Sequence, residues 1–133
     1  MRLLVLATEP VDADRVRAAL PEDDLDGAEV LVVSPAVNES AVAFWMSDSD
    51  EAIGEAGSTA EQTAAQLREA GAHARSTTGE SEPLLALQDA LATFPADRVV
   101  VFVRDADAAR YREDDVIGEA ERRFGVPVTE VTA

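Results

Sequence analysis

The residues in this sequence best suited to chemistry are acids, and they come in groups. Asp48 and Asp50 are separated by one residue, as are Asp105 and Asp107, and Glu113, Asp114 and Asp115 follow as a run. Such pairs can hold a hard cation through carboxylate and backbone oxygens. Neither pair has the glycine-containing loop and later glutamate of an EF-hand, so solvated loop charge is the preferred reading and no metal is expected. His73 is the only imidazole. Ser-His-Asp catalysis would rest on it alone, and it lies in a strand-like stretch where a half-exposed structural role is the simpler expectation. The chain contains no Cys and no Lys. Their absence removes disulfides, thiol nucleophiles and thiolate metal sites, and with them Schiff-base chemistry and a P-loop lysine. The expectation is a protein that is not an enzyme and holds no cofactor.

Charge narrows the partners. Against 11 Arg stand 27 Asp and Glu in 133 residues, a net charge of −16. A field of that sign repels phosphate, so neither nucleic acid nor an anionic membrane surface is an expected partner. The opening run "MRLLVLATEP" is too short for a signal peptide, and no stretch approaches a membrane span. With the lack of Cys, this makes the cytoplasm the expected location.

The elements that must position any site alternate along the chain. Apolar runs predict strands over Arg2–Ala7, Glu29–Ser34, Ala72–Thr77, Arg98–Val103 and Val126–Thr132. Helical periodicity predicts Asp14–Leu20, with Asp12 or Asp14 near its positive end, and a long helix over Asp50–Ala70. The long helix has a stripe of Ile53, Ala56, Ala60, Ala64 and Leu67, and Gly71 is placed as its stop. A third helix over Pro83–Thr93 turns Leu84, Leu87, Leu91 and Phe94 inward. A fourth, over Asp115–Phe124, uses Ile117, Ala120 and Phe124, with Gly125 as its stop. Strict β/α alternation implies βαβ units with right-handed crossovers. The expected architecture is α/β, one domain over residues 1–133, with a doubly wound five-stranded parallel sheet in the order 3-2-1-4-5 and helices on both faces. Such sheets bind ligands beyond the carboxyl ends of their strands. The loop after the first strand, "TEPVDAD", lacks the glycines of a dinucleotide fingerprint.

In its element order and several local motifs the chain resembles the universal stress protein family. "AEVLVVSP" and "LREAGAHARSTTGESEPLLALQDAL" are similar to that family's second and third units. Gly79-x-x-x-Pro83, followed by Leu84, Leu85 and Ala90, is similar to the segment that opens its third helix. "ADRVVVFV" and "FGVPVTEV" are similar to its last two strands. The resemblance implies the adenine-nucleotide-alpha-hydrolase-like fold, a stress-related regulatory or protective role, and a homodimer. ATP-binding members carry G-x2-G-x9-G-S after the fourth strand. Here the Gly-Ser pair falls on Asp114 and Asp115, the two earlier glycines fall near Phe102 and Asp105, and the acid after the first strand falls on Thr8. None of these motif positions is retained, so a degenerate nucleotide site is expected. Asp114 or Asp115 is expected to cap the last helix with its own carboxylate.

An altered pocket remains the alternative, a small-ligand or nucleotide sensor built from Thr8, Ser34, Phe102, Arg104 and Trp45 at the carboxyl edge of the sheet. The segment Phe44-Trp45-Met46 is open to three uses: loop packing, a lid or a subunit contact. The fifth strand is expected to be an edge, with Val128 and Val131 as β-branched surface for pairing with a second copy.

Overall fold

The computed structural model describes residues 2–20, 25–35, 49–79, 83–103 and 115–132, with the side chains of the long helix described from Gly57 onward. Along these residues run β1 (Arg2–Ala7), α1 (Ala13–Ala19), β2 (Glu29–Pro35), α2 (Ser49–Glu69), β3 (His73–Gly79), α3 (Pro83–Thr93), β4 (Arg98–Val103), α4 (Val116–Phe124) and β5 (Val128–Thr132). All the strands are parallel, in the order β3-β2-β1-β4-β5, as expected. Strand β3 runs two residues further than its apolar run, because Thr78 and Gly79 pair with Ser34 and Pro35. Strand β5 begins two residues late, at Val128, just after Pro127.

The central strands are apolar on both faces because helices cover both. Leu3, Val5, Ala7, Val30, Val32, Val100 and Phe102 pack with Val16 of α1 and Ala60, Ala64 and Leu67 of α2. On the other face Leu4, Leu6, Leu31, Val33, Val99 and Val101 meet Ala86, Leu87 and Ala90 of α3 and Val116 and Ala120 of α4. The expected stripe of α3 is shifted. Leu87 and Phe94 are buried, but Leu84 and Leu91 are only partly so, and Ala86 and Ala90 make the close approach to the sheet. Ile53 and Ala56 lie outside the described side chains.

Helix ends follow from local chemistry. Asp12 is the N-cap of α1, its Oδ1 accepting from the Arg15 N–H at 2.9 Å. At the end of α2 the Ala72 N–H donates to the Leu67 carbonyl and the Gly71 N–H to the Arg68 carbonyl, both at 3.0 Å. This doubly bonded stop needs a left-handed residue, and Gly71 supplies it with φ +97°.

Gly79 serves a different need. A Cβ there would lie 2.9 Å from the Ala86 Cβ and 3.0 Å from Val33 Cγ1, so the missing side chain lets α3 settle against the end of β3. Replacing Gly79 with Ala is expected to cost about 1 kcal/mol through overpacking. Urea unfolding of the variant checks this, and an unchanged midpoint would contradict the close approach.

Candidate functional site

Three of the expected site residues come together at the carboxyl end of the sheet. Thr8 directly follows β1. Ser34 lies near the end of β2, one residue past the Leu6–Val33 pair, and Phe102 pairs with Ala7 across β1 and β4. These strands flank the point where the order reverses, between β1 and β4, which is where open α/β sheets leave a crevice. Arg104 and Trp45 lie outside the described residues, as do Phe44, Met46, Asp48, Asp105, Asp107, Glu113 and Asp114.

Two hydroxyls distinguish this edge. Thr8 Oγ1 and Ser34 Oγ are buried and have no hydrogen-bond partner among the described residues. Ser34 as a whole is 1% exposed. A buried polar group left unpaired costs about 1–3 kcal/mol, so two at this edge set it apart among the described residues.

The loop from β1 to α1 is held from below. Thr63 of α2, fully buried, accepts the Val11 N–H on its Oγ1 at 3.0 Å. Above it, the Arg15 guanidinium carbon lies 5.5 Å from the centroid of the Phe102 ring. Neither Thr63 nor Arg15 stood out in the sequence. Thr63 lies between Ala60 and Ala64 on the buried stripe, and a polar residue in that position was the available signal.

The start of α4 departs from expectation. Asp115 is the N-cap, but its carboxylate makes no capping hydrogen bond. Its backbone is left-handed, with φ 49° and ψ 44°, and it is the one non-glycine among the described residues with positive φ. This turn carries the carboxylate along the flank of the helix, over Gly118, where a Cβ would come within 2.6 Å of Oδ1. There it accepts from Arg122 Nη2 at 2.8 Å. Arg122 Nη2 also donates to Glu119 Oε2 at 3.0 Å, and Arg123 Nε to Glu119 Oε1 at 2.7 Å. These bonds hold the Glu119 carboxyl below its ordinary range. At Asp115 the expected self-capping is therefore replaced by a surface network of two acids and two arginines, and Asp114 lies outside the described residues.

Elsewhere the chemistry is sparse. Among the described residues no group of three His, Asp or Glu is placed to hold a metal ion. His73 is exposed on β3, opposite Glu29. It lines a cleft of about 540 Å³ with Glu29, Arg68, Arg75 and Phe94, at the amino end of the sheet. No described helix is long and apolar enough to cross a membrane.

The parallel 3-2-1-4-5 sheet, wound on both faces with its order reversing between β1 and β4, defines a doubly wound α/β fold. Among solved structures the chain is similar to a universal stress protein from Archaeoglobus fulgidus, at 23% identity and a TM-score of 0.64, over 98% of this chain and 97% of that one. It is also similar to the hypothetical protein PH0823, at 13% identity and a TM-score of 0.53, over 98% of this chain and 95% of that one. No family model and no curated protein matches the sequence. The resemblance read from the motifs is borne out as a universal-stress-protein fold.

Proposed function

We propose that this chain is a universal-stress-protein-like module with a degenerate nucleotide site, acting in the cytoplasm as a regulatory or protective protein without catalysis. The supporting observation is the start of α4. A helix amino end attracts phosphate through free N–H groups and its dipole. Here the Asp115 carboxylate lies beside the first turn, over Gly118, and Glu119 adds a second acid in that turn. Among the described residues, the two cations of this helix, Arg122 and Arg123, are already bonded to those acids. Magnesium-ATP is expected to leave the melting temperature unchanged at concentrations where a micromolar site would be saturated. A bound ligand at a hundredfold over its Kd would add about 2.7 kcal/mol. A clear upward shift, or micromolar binding by calorimetry, overturns the reading.

The orphaned hydroxyls of Thr8 and Ser34 favour a second reading, a sensor of a small polar ligand without a polyphosphate. A melting-temperature screen of nucleosides and small metabolites separates the two. A hit lost in Ser34→Ala supports the sensor.

Assembly belongs to the same proposal. Strand β5 lies at a sheet edge with Val128 and Val131 half-buried, and pairing with a second copy about a two-fold axis would cover both. Light scattering that reports a monomer at high concentration, in low and in high salt, rejects the dimer.

A further inference from the structure

A sheet of this order has two edges, and on β3 the edge is covered by side chains. The His73 N–H donates inward to the Ala28 carbonyl at 2.8 Å. By strand alternation Ala74, Ser76 and Thr78 then turn their backbone groups away from β2, toward where a further strand would add. Arg68, in the last turn of α2, reaches over this edge. Its Nε donates to the Ala74 carbonyl at 2.9 Å, and its Nη1 to Glu61 Oε1 at 2.6 Å. A longer contact of 3.4 Å joins Nη2 to Glu61 Oε2, which also accepts from Ser76 Oγ at 2.6 Å. One outward carbonyl of β3 is thus occupied, and an ion pair is held beside this edge by bonds to Ala74 and Ser76.

The strength of this network does not come from burial. Both side chains are about half exposed, and exposed ion pairs contribute little to stability. The hydrogen bonds from Arg68 and Ser76 nevertheless pull the Glu61 carboxyl from 4.5 down to about 2. It therefore stays ionised, and able to hold the arginine, at any ordinary pH. Edge strands are templates for unwanted pairing, and a charge held across one is a known kind of deterrent. We infer that the Glu61–Arg68–Ser76 clamp guards the β3 edge against a second copy of this chain, so that association proceeds through β5 alone. The β5 half of this inference rests on the dimer proposed above; the β3 half stands apart from it.

Two backgrounds test the halves separately. Val99 N–H donates to the Pro127 carbonyl, so Glu130 turns its backbone away from β4. Glu130→Pro therefore removes an outward donor without breaking the ladder. In the parent chain, Arg68→Ala is expected to raise the mass in light scattering from dimer to tetramer and larger, because both edges then pair. In Glu130→Pro the parent falls to monomer, and adding Arg68→Ala restores a dimer through β3. Since the chain has no Cys, a single Thr78→Cys reports that contact by cross-linking between copies only when Arg68 is replaced. Glu61→Gln, which keeps the side chain's shape, is expected to act in the same direction and serves if Arg68→Ala misfolds. Folded Arg68→Ala and Glu61→Gln proteins that associate no further than their parents, without the Thr78→Cys cross-link, overturn the guard. A Glu130→Pro protein that remains dimeric overturns the β5 half alone.

Discussion

Replacing Leu67 with Ala is expected to remove about 3–5 kcal/mol of stability, the largest loss of any single truncation among the described side chains of α2. The reason lies in what else that helix offers the sheet. Its buried positions among the described side chains are Ala60, Thr63, Ala64 and Leu67, and only Leu67 is a large apolar group. The alanines bring the helix close, but each buries little area, so among the described side chains the anchoring falls on one residue. Leu67 is fully buried in the cluster with Val30, Val32 and Ala74, and its carbonyl also receives the Ala72 N–H that closes the helix. Rigid strands on one side and a helix packed through small residues leave little room for collapse, so most of the cavity persists. A domain of this size has about 5–15 kcal/mol in all. Urea unfolding is expected to show a much lower midpoint with the slope unchanged. A loss under about 1 kcal/mol would mean that α2 is held by something other than this stripe.

The sheet was legible because its signals are strong and redundant. Val99–Val103 and Leu3–Ala7 are unbroken apolar runs, and such runs fit only a strand covered on both sides. Gly71 and Gly125 marked helix ends correctly because a left-handed stop has few other solutions. The stripe of α3 was less legible. Periodicity gives weight to Leu84 and Leu91, whereas close packing against Gly79 selects Ala86, which hydrophobicity alone does not favour. Asp115 shows a different limit. Its type and place named it as a cap, but the choice between its own helix and Arg122 depends on a backbone angle and on the open flank at Gly118. Ser34 was a candidate from its place at a strand end, but its depth and the lack of a partner among the described residues depend on three-dimensional packing. Element order is written in pattern; which polar atom meets which is decided by three-dimensional neighbours.

The second large effect is expected at Thr63, which links the long helix to the candidate site. Thr63→Val preserves shape and removes one oxygen. That oxygen is the acceptor of the Val11 N–H, and both residues are buried, at 0% and 2% exposure. Water does not reach the orphaned donor, so the change is expected to cost about 2–3 kcal/mol despite the gain of a methyl group. The consequence extends beyond stability, because Val11 belongs to the loop that begins with Thr8 and ends at the Asp12 cap of α1. With that tether gone, the Val11 amide is expected to exchange with solvent by local opening, much faster than the neighbouring β1 amides. Thr63→Ser separates the hydrogen bond from the packing. It gives up one methyl, worth about 1 kcal/mol, but keeps the acceptor, so the Val11 amide should stay protected. Loss of protection in Thr63→Val with retention in Thr63→Ser assigns the loop's order to this one bond. If Thr63→Val is as stable as the parent and its Val11 amide exchanges no faster, the loop is fixed by other contacts, and the edge that carries Thr8 does not depend on α2.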